Sequence, residues 1–407
     1  MNEFALQHPP SQPACVNRQA LSCLRLTNFR NYASAALQIT DGAVVLYGAN
    51  GAGKTNIMEA ISLLAPGRGL RSAAKSALYR QDSTSNSYPS ETDNAGVPPL
   101  WAVYAELQTP HGHSVIGTSA HPDNPDASRQ VRIDHNPSSQ TALSAHCAIS
   151  WLTPQMDGLF LGAASQRRRF LDRLALCFDR AHAGRVSRFE KSWRQRNKLL
   201  SEPAYDEIWV ASLEQQLAET GVAIMATRMQ LLAEICAQSA LLGSHFPTVS
   251  GYLNGDVADW LEQGMPAIDI EDRIIHTAKA RRQAGEFSMP GPQETDLCME
   301  VLGKPAALAS TGEQKALLIS MVLAHARLQQ QRFSLPSILL LDDVAAHLDP
   351  NRRAELFTLC SELDAQIWYS GTDRSIFSEL TASAEFIAVE NGQLTRETGS
   401  SQTIQTG

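Results

Sequence analysis

No apolar run in the 407 residues approaches the roughly 18–20 that a membrane-crossing helix needs. Met1 to Ala20 lacks the apolar stretch of a secretory signal and is polar and proline-containing, so it reads as a disordered lead-in. No Cys-x-x-Cys pair occurs, and seven irregularly spaced cysteines make no disulfide framework. The expectation is a reducing cytoplasm and no structural zinc. His111 and His113 form a lone His-x-His in a turn, which is ordinary polar surface and assigns no metal. At 43% hydrophobic and 19% charged residues the composition is that of a globular protein, and the length calls for two or three domains. A net charge of −8 argues against a protein coated by nucleic acid, unless its charge is unevenly placed.

The stretch Gly48-Ala49-Asn50-Gly51-Ala52-Gly53-Lys54-Thr55 reads G-x-x-x-x-G-K-T. An apolar, β-prone run from Ala43 to Tyr47 precedes it, and Asn56 to Leu64 carries apolar residues at helical spacing. Strand, glycine-rich turn, helix is the setting in which this motif holds a triphosphate. Backbone N–H groups point at the phosphates at a helix start, Lys54 reaches the β- and γ-phosphates, and the Thr55 hydroxyl ligates Mg²⁺. The plain alternative is a glycine-rich turn that caps a helix.

Around this loop, Leu21–Leu26 and Ala35–Ile39 read as strands joined by a turn at 27–32. Arg68 and Arg71, beside Gly67 and Gly69, either serve the nucleotide or stand in a solvated loop. Asp82 to Pro99 is a Ser/Asn/Pro-rich surface loop. Strands follow near 100–107, 114–119, 130–133 and 149–152. Composition then shifts: Ser165 to Leu200 holds eleven Lys and Arg residues against three acids, with Phe170, Leu174, Cys177 and Phe178 at helical spacing. A basic amphipathic helix or helix pair is either a solvated face or a phosphate-contacting one. A long helix is expected from about 205 to 242, interrupted at Gly221, and another from Asp269 to Arg282.

Toward the C-terminus, Ser310-Thr311-Gly312-Glu313-Gln314-Lys315 opens a helix, with Ser310 and Glu313 at capping-box spacing. Ser337 to Leu341 is an apolar strand ending in Asp342-Asp343, the Walker B form, which puts Asp342 where it helps hold the Mg²⁺ on Thr55. Leu348-Asp349 follows, then a buried strand over 365–373. In this order the motifs narrow a general P-loop protein to an ABC-type ATPase head.

With Leu26-Thr27-Asn28-Phe29-Arg30-Asn31-Tyr32, the Walker A run through Asn56, Ser165 to Leu174, Ser310 to Lys315 and Leu339 to Asp349 in view, the chain resembles the RecF family of SMC-like ABC ATPases over about residues 21–395. The resemblance implies an α/β fold: a split ABC-type P-loop head of mixed β-sheets and helices with an inserted all-helical lobe. Its parts are a lead at 1–20, the first half of the head at 21–160, the lobe at 161–285, the second half at 286–395 and a flexible tail at 396–407. It implies an ATP-dependent homodimer with ATP between Walker A of one chain and Ser310, Thr311 and Gly312 of the other, with Glu313, Gln314 and Asp349 beside the nucleotide. Gln155 matches the Q-loop, touching metal and water; Asp343 matches the general base, and Thr372 the switch position. The implied activity is slow ATP hydrolysis coupled to clamping of duplex DNA near single-strand gaps. The implied partners are DNA and proteins of the RecO and RecR type, in the cytoplasm, with no membrane. Arg167, Arg168, Arg169, Arg194 and Arg196 are the DNA-contact candidates. Two departures stand out. Asp343 is one methylene shorter than the usual glutamate, and Gln293-Glu294 replaces a His-Arg pair. The alternative reading is the ATPase subunit of a membrane transporter, which shares the nucleotide motifs but not the arginine-rich run.

Overall fold

Alternation of side chains along a strand decides where this molecule keeps its core. The structure, a computed structural model, describes residues 20–40, 42–80, 100–109, 112–121, 124, 127–242, 246–332, 337–381, 383–397 and 402–403. The expected lead at 1–19, the loop at 82–99, His111 and most of the tail therefore lie outside the described residues.

Leu21–Phe29 (β1) and Tyr32–Gln38 (β2) form a hairpin. Ala43–Tyr47 (β3) follows and leads into Lys54–Ser62 (α1). Ala102–Thr109 (β4), Gly112–Ser119 (β5), Gln130–Ile133 (β6) and Asn136–Ser138 (β7) complete an antiparallel sheet in the order β2-β1-β4-β5-β6-β7. Ala148–Leu152 (β8) closes the first half of the head.

The inserted lobe starts with Ala164–Ala175 (α2), His182–Leu200 (α3) and Glu207–Ser239 (α4). Asp206 caps α4 by accepting from the N–H groups of Ile208 and Trp209. The expected break at Gly221 does not occur. The helix runs through it, and the missing side chain admits a neighbour: a Cβ there would stand 3.1 Å from Pro292 Cδ. Nor is the lobe all-helical. Ser250–Asn254 (β9) precedes Asp256–Glu262 (α5) and Ala267–Gln283 (α6), and it pairs with Asp296–Val301 (β10), which also pairs with Lys304–Pro305 (β11). Five residues give too short a pattern to read as a strand without the partner that β10 supplies from the far side of α6.

The second half of the head continues with Thr311–Arg332 (α7), Ser337–Leu341 (β12), Pro350–Glu362 (α8), Gln366–Gly371 (β13), Glu385–Glu390 (β14), Gln393–Arg396 (β15) and Gln402–Thr403 (β16). Part of the expected flexible tail is thus a short strand paired with β15. The sheet order is β16-β15-β14-β3-β13-β12-β8, parallel from β14 to β8. Both faces are covered, so its strands are continuously apolar. Ile338, Leu340, Trp368 and Ile387 face α1 and the antiparallel sheet, whereas Leu339, Leu341, Ile367 and Tyr369 face α7 and α8. All loops that matter leave from the carboxyl ends of parallel strands, where open α/β sheets place their ligands.

Part of the basic run is spent on structure, while Arg169, Arg180, Arg188, Lys191, Arg194 and Lys198 are exposed. Arg196 is fully buried and pairs with Glu214 at 2.8 Å, a carboxylate that Arg282 also contacts at 3.1 Å. Arg228 and His182 both meet Asp172 at 2.8 Å, tying α2, α3 and α4 together. Arg196→Met strands a buried carboxylate with one cation and should lower stability by about 3 kcal/mol in a urea titration. A change under about 1 kcal/mol would contradict this reading.

His325 of α7 is fully buried between the Ser150 hydroxyl (3.2 Å) and the Leu174 carbonyl (3.0 Å). Burial pulls its imidazole down from 6.5 to about 4. As pH falls below 6.5 the unfolded chain binds a proton that the folded chain refuses until about 4, so stability declines across that window. His325→Asn should flatten this part of the pH–stability profile; an unchanged slope would exclude His325 as its source.

Candidate nucleotide site

The phosphate loop curls between β3 and α1 because its glycines adopt backbone angles that side chains forbid. Gly48 (φ +148°) lies so close to β14 that a Cβ would meet the Val389 carbonyl at 2.2 Å. Gly53 (φ +120°) leaves no room beside Asn31 and the Tyr32 hydroxyl, each 2.6 Å from its would-be Cβ. Ala49, Asn50 and Gly51 form the exposed rim, and Ala52 and Gly53 are buried. Lys54 is nearly buried and folds back to donate to the carbonyls of Gly48 (2.8 Å) and Ala49 (3.0 Å).

The turn after β1 braces this loop, a role that its sequence did not announce. Arg30 clasps the fully buried Glu59 of α1 through two bonds of 2.8 and 2.6 Å. Asn31 donates to the Ala52 carbonyl (3.1 Å), and the Tyr32 hydroxyl donates to that of Gly53 (3.1 Å). Asn56 donates to Asn31 (2.7 Å) and accepts from Arg71 (2.7 Å), which also reaches Glu59. Of the two arginines after α1, Arg71 is therefore tied to the loop's own helix, while Arg68 is exposed.

Asp342 arrives at the end of β12. Its Oδ1 accepts from the Thr55 hydroxyl at 3.0 Å and from the Ser370 hydroxyl at 2.6 Å. Ser370, at the end of β13, also accepts from the N–H of Asp343 at 2.9 Å. Because β13 lies between β3 and β12, this one hydroxyl sits between the two motifs. Burial, and after it the Asp343 charge, pushes the Asp342 carboxyl up from its usual value, against the opposing pull of the Ser370 hydrogen bond. A threonine hydroxyl sharing a hydrogen bond with a buried carboxylate is the donor set that holds Mg²⁺ in P-loop proteins. Asp343 has a left-handed backbone (φ +51°), and its Oδ1 is buried without a hydrogen-bond partner among the described residues. An acceptor so placed fits a general base kept free for water.

The other expected residues fall further out. Gln155 and Thr372 are exposed, and the side-chain bonds of the Thr55–Asp342 pair among the described residues go to each other and to Ser370. The polar group at the end of β13 that bonds the Asp342 carboxylate and the Asp343 N–H is Ser370, two residues before Thr372. Ser310, Thr311 and Gly312 are exposed at the start of α7, where Ser310 and Glu313 complete the capping box: the Ser310 N–H and hydroxyl donate to Glu313 at 2.7 and 2.8 Å. These bonds and Lys304 hold the Glu313 carboxyl down at about 2. Gln314 turns inward to the Ala309 carbonyl (3.0 Å), so its side chain does not face a nucleotide. Asp349 caps α8, accepting from the Arg352 N–H at 3.0 Å.

Two of the DNA-contact candidates are corrected. Arg196 is buried against Glu214, and Arg167 is clamped to Asp296 by two 2.7 Å bonds, so neither offers its charge to solvent. Arg168 donates to the Thr295 carbonyl at 2.7 Å. Arg169 and Arg194 are exposed and bonded to carbonyls of their own helices.

A strand–P-loop–helix, a Walker B carboxylate bonded to the P-loop threonine across the sheet, and a second helix opening on Ser-Thr-Gly define an ABC-type ATPase head of the SMC kind. The RecF/RecN/SMC N-terminal domain family matches residues 20–395. Proteins named DNA replication and repair protein RecF are similar along nearly their whole length. That of Rhizobium rhizogenes is 41% identical over 389 residues, 92% of this chain and 98% of its own, and that of Brucella abortus is 42% identical, covering 93% and 97%. The chain belongs to the RecF family. Its fold matches a structure described as the recombination mediator protein RecF-ATP in the RecFOR pathway, with a TM-score of 0.78 at 20% identity over 95% of this chain and all of that one.

Ser370→Ala should cut ATP turnover at least about tenfold, the worth of one hydrogen bond to a charged group, and leave nucleotide affinity within about threefold. Ser370→Thr should recover part of the loss. Full activity in the alanine variant would remove Ser370 from the site.

Proposed function

We propose that the chain is an ATP-switched, DNA-binding dimer acting in DNA replication and repair. The observation that carries this is an incomplete nucleotide site. The phosphate loop, Thr55, Asp342 and Asp343 stand together, whereas Ser310, Thr311 and Gly312 are exposed and bonded to none of them among the described residues. Open N–H groups at a helix start suit an anion, and a second copy supplies the anion if its bound ATP docks there. ATP is then the bridge between two heads.

In this reading Lys54 exchanges the Gly48 and Ala49 carbonyls for the β- and γ-phosphates. A Mg²⁺ held by Thr55 and Asp342, with Gln155 moving in, would neutralise phosphate charge. Asp343 accepts the proton of the attacking water, and its short side chain makes hydrolysis slow. Ser310 must exchange its bond with Glu313 for one with the partner's nucleotide. The dimer presents a composite basic surface to duplex DNA near single-strand gaps, with Arg169 and Arg194 as exposed contributors. It works with RecO- and RecR-type proteins in loading the recombinase, in the cytoplasm. The names of the similar proteins and the helical lobe weigh against the transporter ATPase.

The test is fluorescence anisotropy on a gapped duplex with ATP, ADP or no nucleotide, paired with size-exclusion chromatography of Ser310→Arg. Tight binding with ATP alone, and loss of the ATP-dependent dimer in Ser310→Arg, are expected. Equal binding in all three states, or an unaltered dimer in the variant, would overturn the switch.

A further inference from the structure

A cavity of about 590 Å³ opens between the head and the helical lobe, apart from the phosphate loop. The head contributes the turn 66–72 and the end of β8 with the turn after it; the lobe contributes α2 and α3. Its charge is lopsided. Arg173 lies over the Trp151 ring at 4.5 Å and the Phe170 ring at 5.2 Å. Its guanidinium reaches only the Trp151 carbonyl at 3.5 Å and the Met156 sulfur at 3.7 Å, and makes no ion pair among the described residues. Arg68 makes none either, and the donors of Arg169 go to Ser165. Of the two carboxylates in the walls, Asp172 is taken up by Arg228 and His182, which leaves Glu190 against three arginines.

The walls also hold buried polar atoms with nothing to bond. Trp151 Nε1, Thr153 Oγ1 and His182 Nδ1 have no partner among the described residues, and all three side chains are at least nine-tenths buried. A guanidinium set on two aromatic faces without a carboxylate keeps its donors for an incoming anion, and Arg suits phosphate through its planar fork. The space admits a molecule up to the size of a mononucleotide and is too confined for a duplex.

We propose that this cleft is a second, phosphate-binding site for a phosphorylated small molecule, held by Arg173 with Arg68 and Arg169 at the mouth. The ligand would touch both lobes at once. It would also lie beside Arg71, whose other contacts are Asn56 and Glu59 of α1, and beside Gln155, so its occupancy reports to the ATP site.

The test uses the full chain carrying Lys54→Ala, which disables the phosphate loop and separates this site from the proposed ATP switch. Isothermal titration with inorganic pyrophosphate, and with AMP as the size probe, is expected to show one site per chain. Adding Arg173→Gln should weaken it at least tenfold. Arg68→Gln, at an exposed position that cannot unfold the protein, should weaken it about fivefold. Absence of binding in the Lys54→Ala chain, or binding undiminished by Arg173→Gln and Arg68→Gln, would overturn the proposal.

Discussion

The pairing of β3 between β13 and β14 is the contact on which the rest depends. The strand that launches the phosphate loop belongs to the first fifty residues, and both its neighbours belong to the last fifty. Gly48 can approach β14 closely because it has no side chain, and β13 then sits where the Ser370 hydroxyl reaches the Asp342 carboxylate and the Asp343 N–H. Break this pairing and Thr55 loses Asp342, the loop loses its backing, and the sheet loses the apolar faces that separate the two cores.

Around that contact the acids that pack between elements are matched with cations. Glu59 takes Arg30 and Arg71; Asp172 takes Arg228 and His182; Glu214 takes Arg196 and Arg282; Asp296 takes Arg167. Each cluster joins separate segments of the chain, and within it the buried charge is paired as burial demands. Arg173 breaks the pattern, and the cleft around it is where a head and a lobe connected mainly by packing have room for something else.

Sequence made the nucleotide motifs legible because their residues are contiguous: a strand, a loop that needs glycine, a helix, and an apolar strand ending in acid. It did not reveal Ser370 or the Arg30-Asn31-Tyr32 brace, whose roles exist only once the strand order brings them to the loop. It overstated the arginine-rich run for the same reason. A count along the chain sees Arg167 and Arg196 but not Asp296 and Glu214, which arrive from elsewhere. Gly221 was misjudged as a break because the need for a bare helix surface against Pro292 is a property of packing. Strand β9 was hidden by its brevity.

The split sheet sets an order of events during synthesis. Until β13 and β14 leave the ribosome, β3 has no partner on either side, and the phosphate loop, complete in sequence since residue 55, has nothing to rest on. Non-local pairing of this kind is slow and leaves an unpaired strand exposed meanwhile. A nascent or truncated chain that stops before residue 366 carries Walker A and Walker B in full, yet lacks the strand that brings them together. The nucleotide site thus closes only once β13 and β14 have been made, long after the phosphate loop itself.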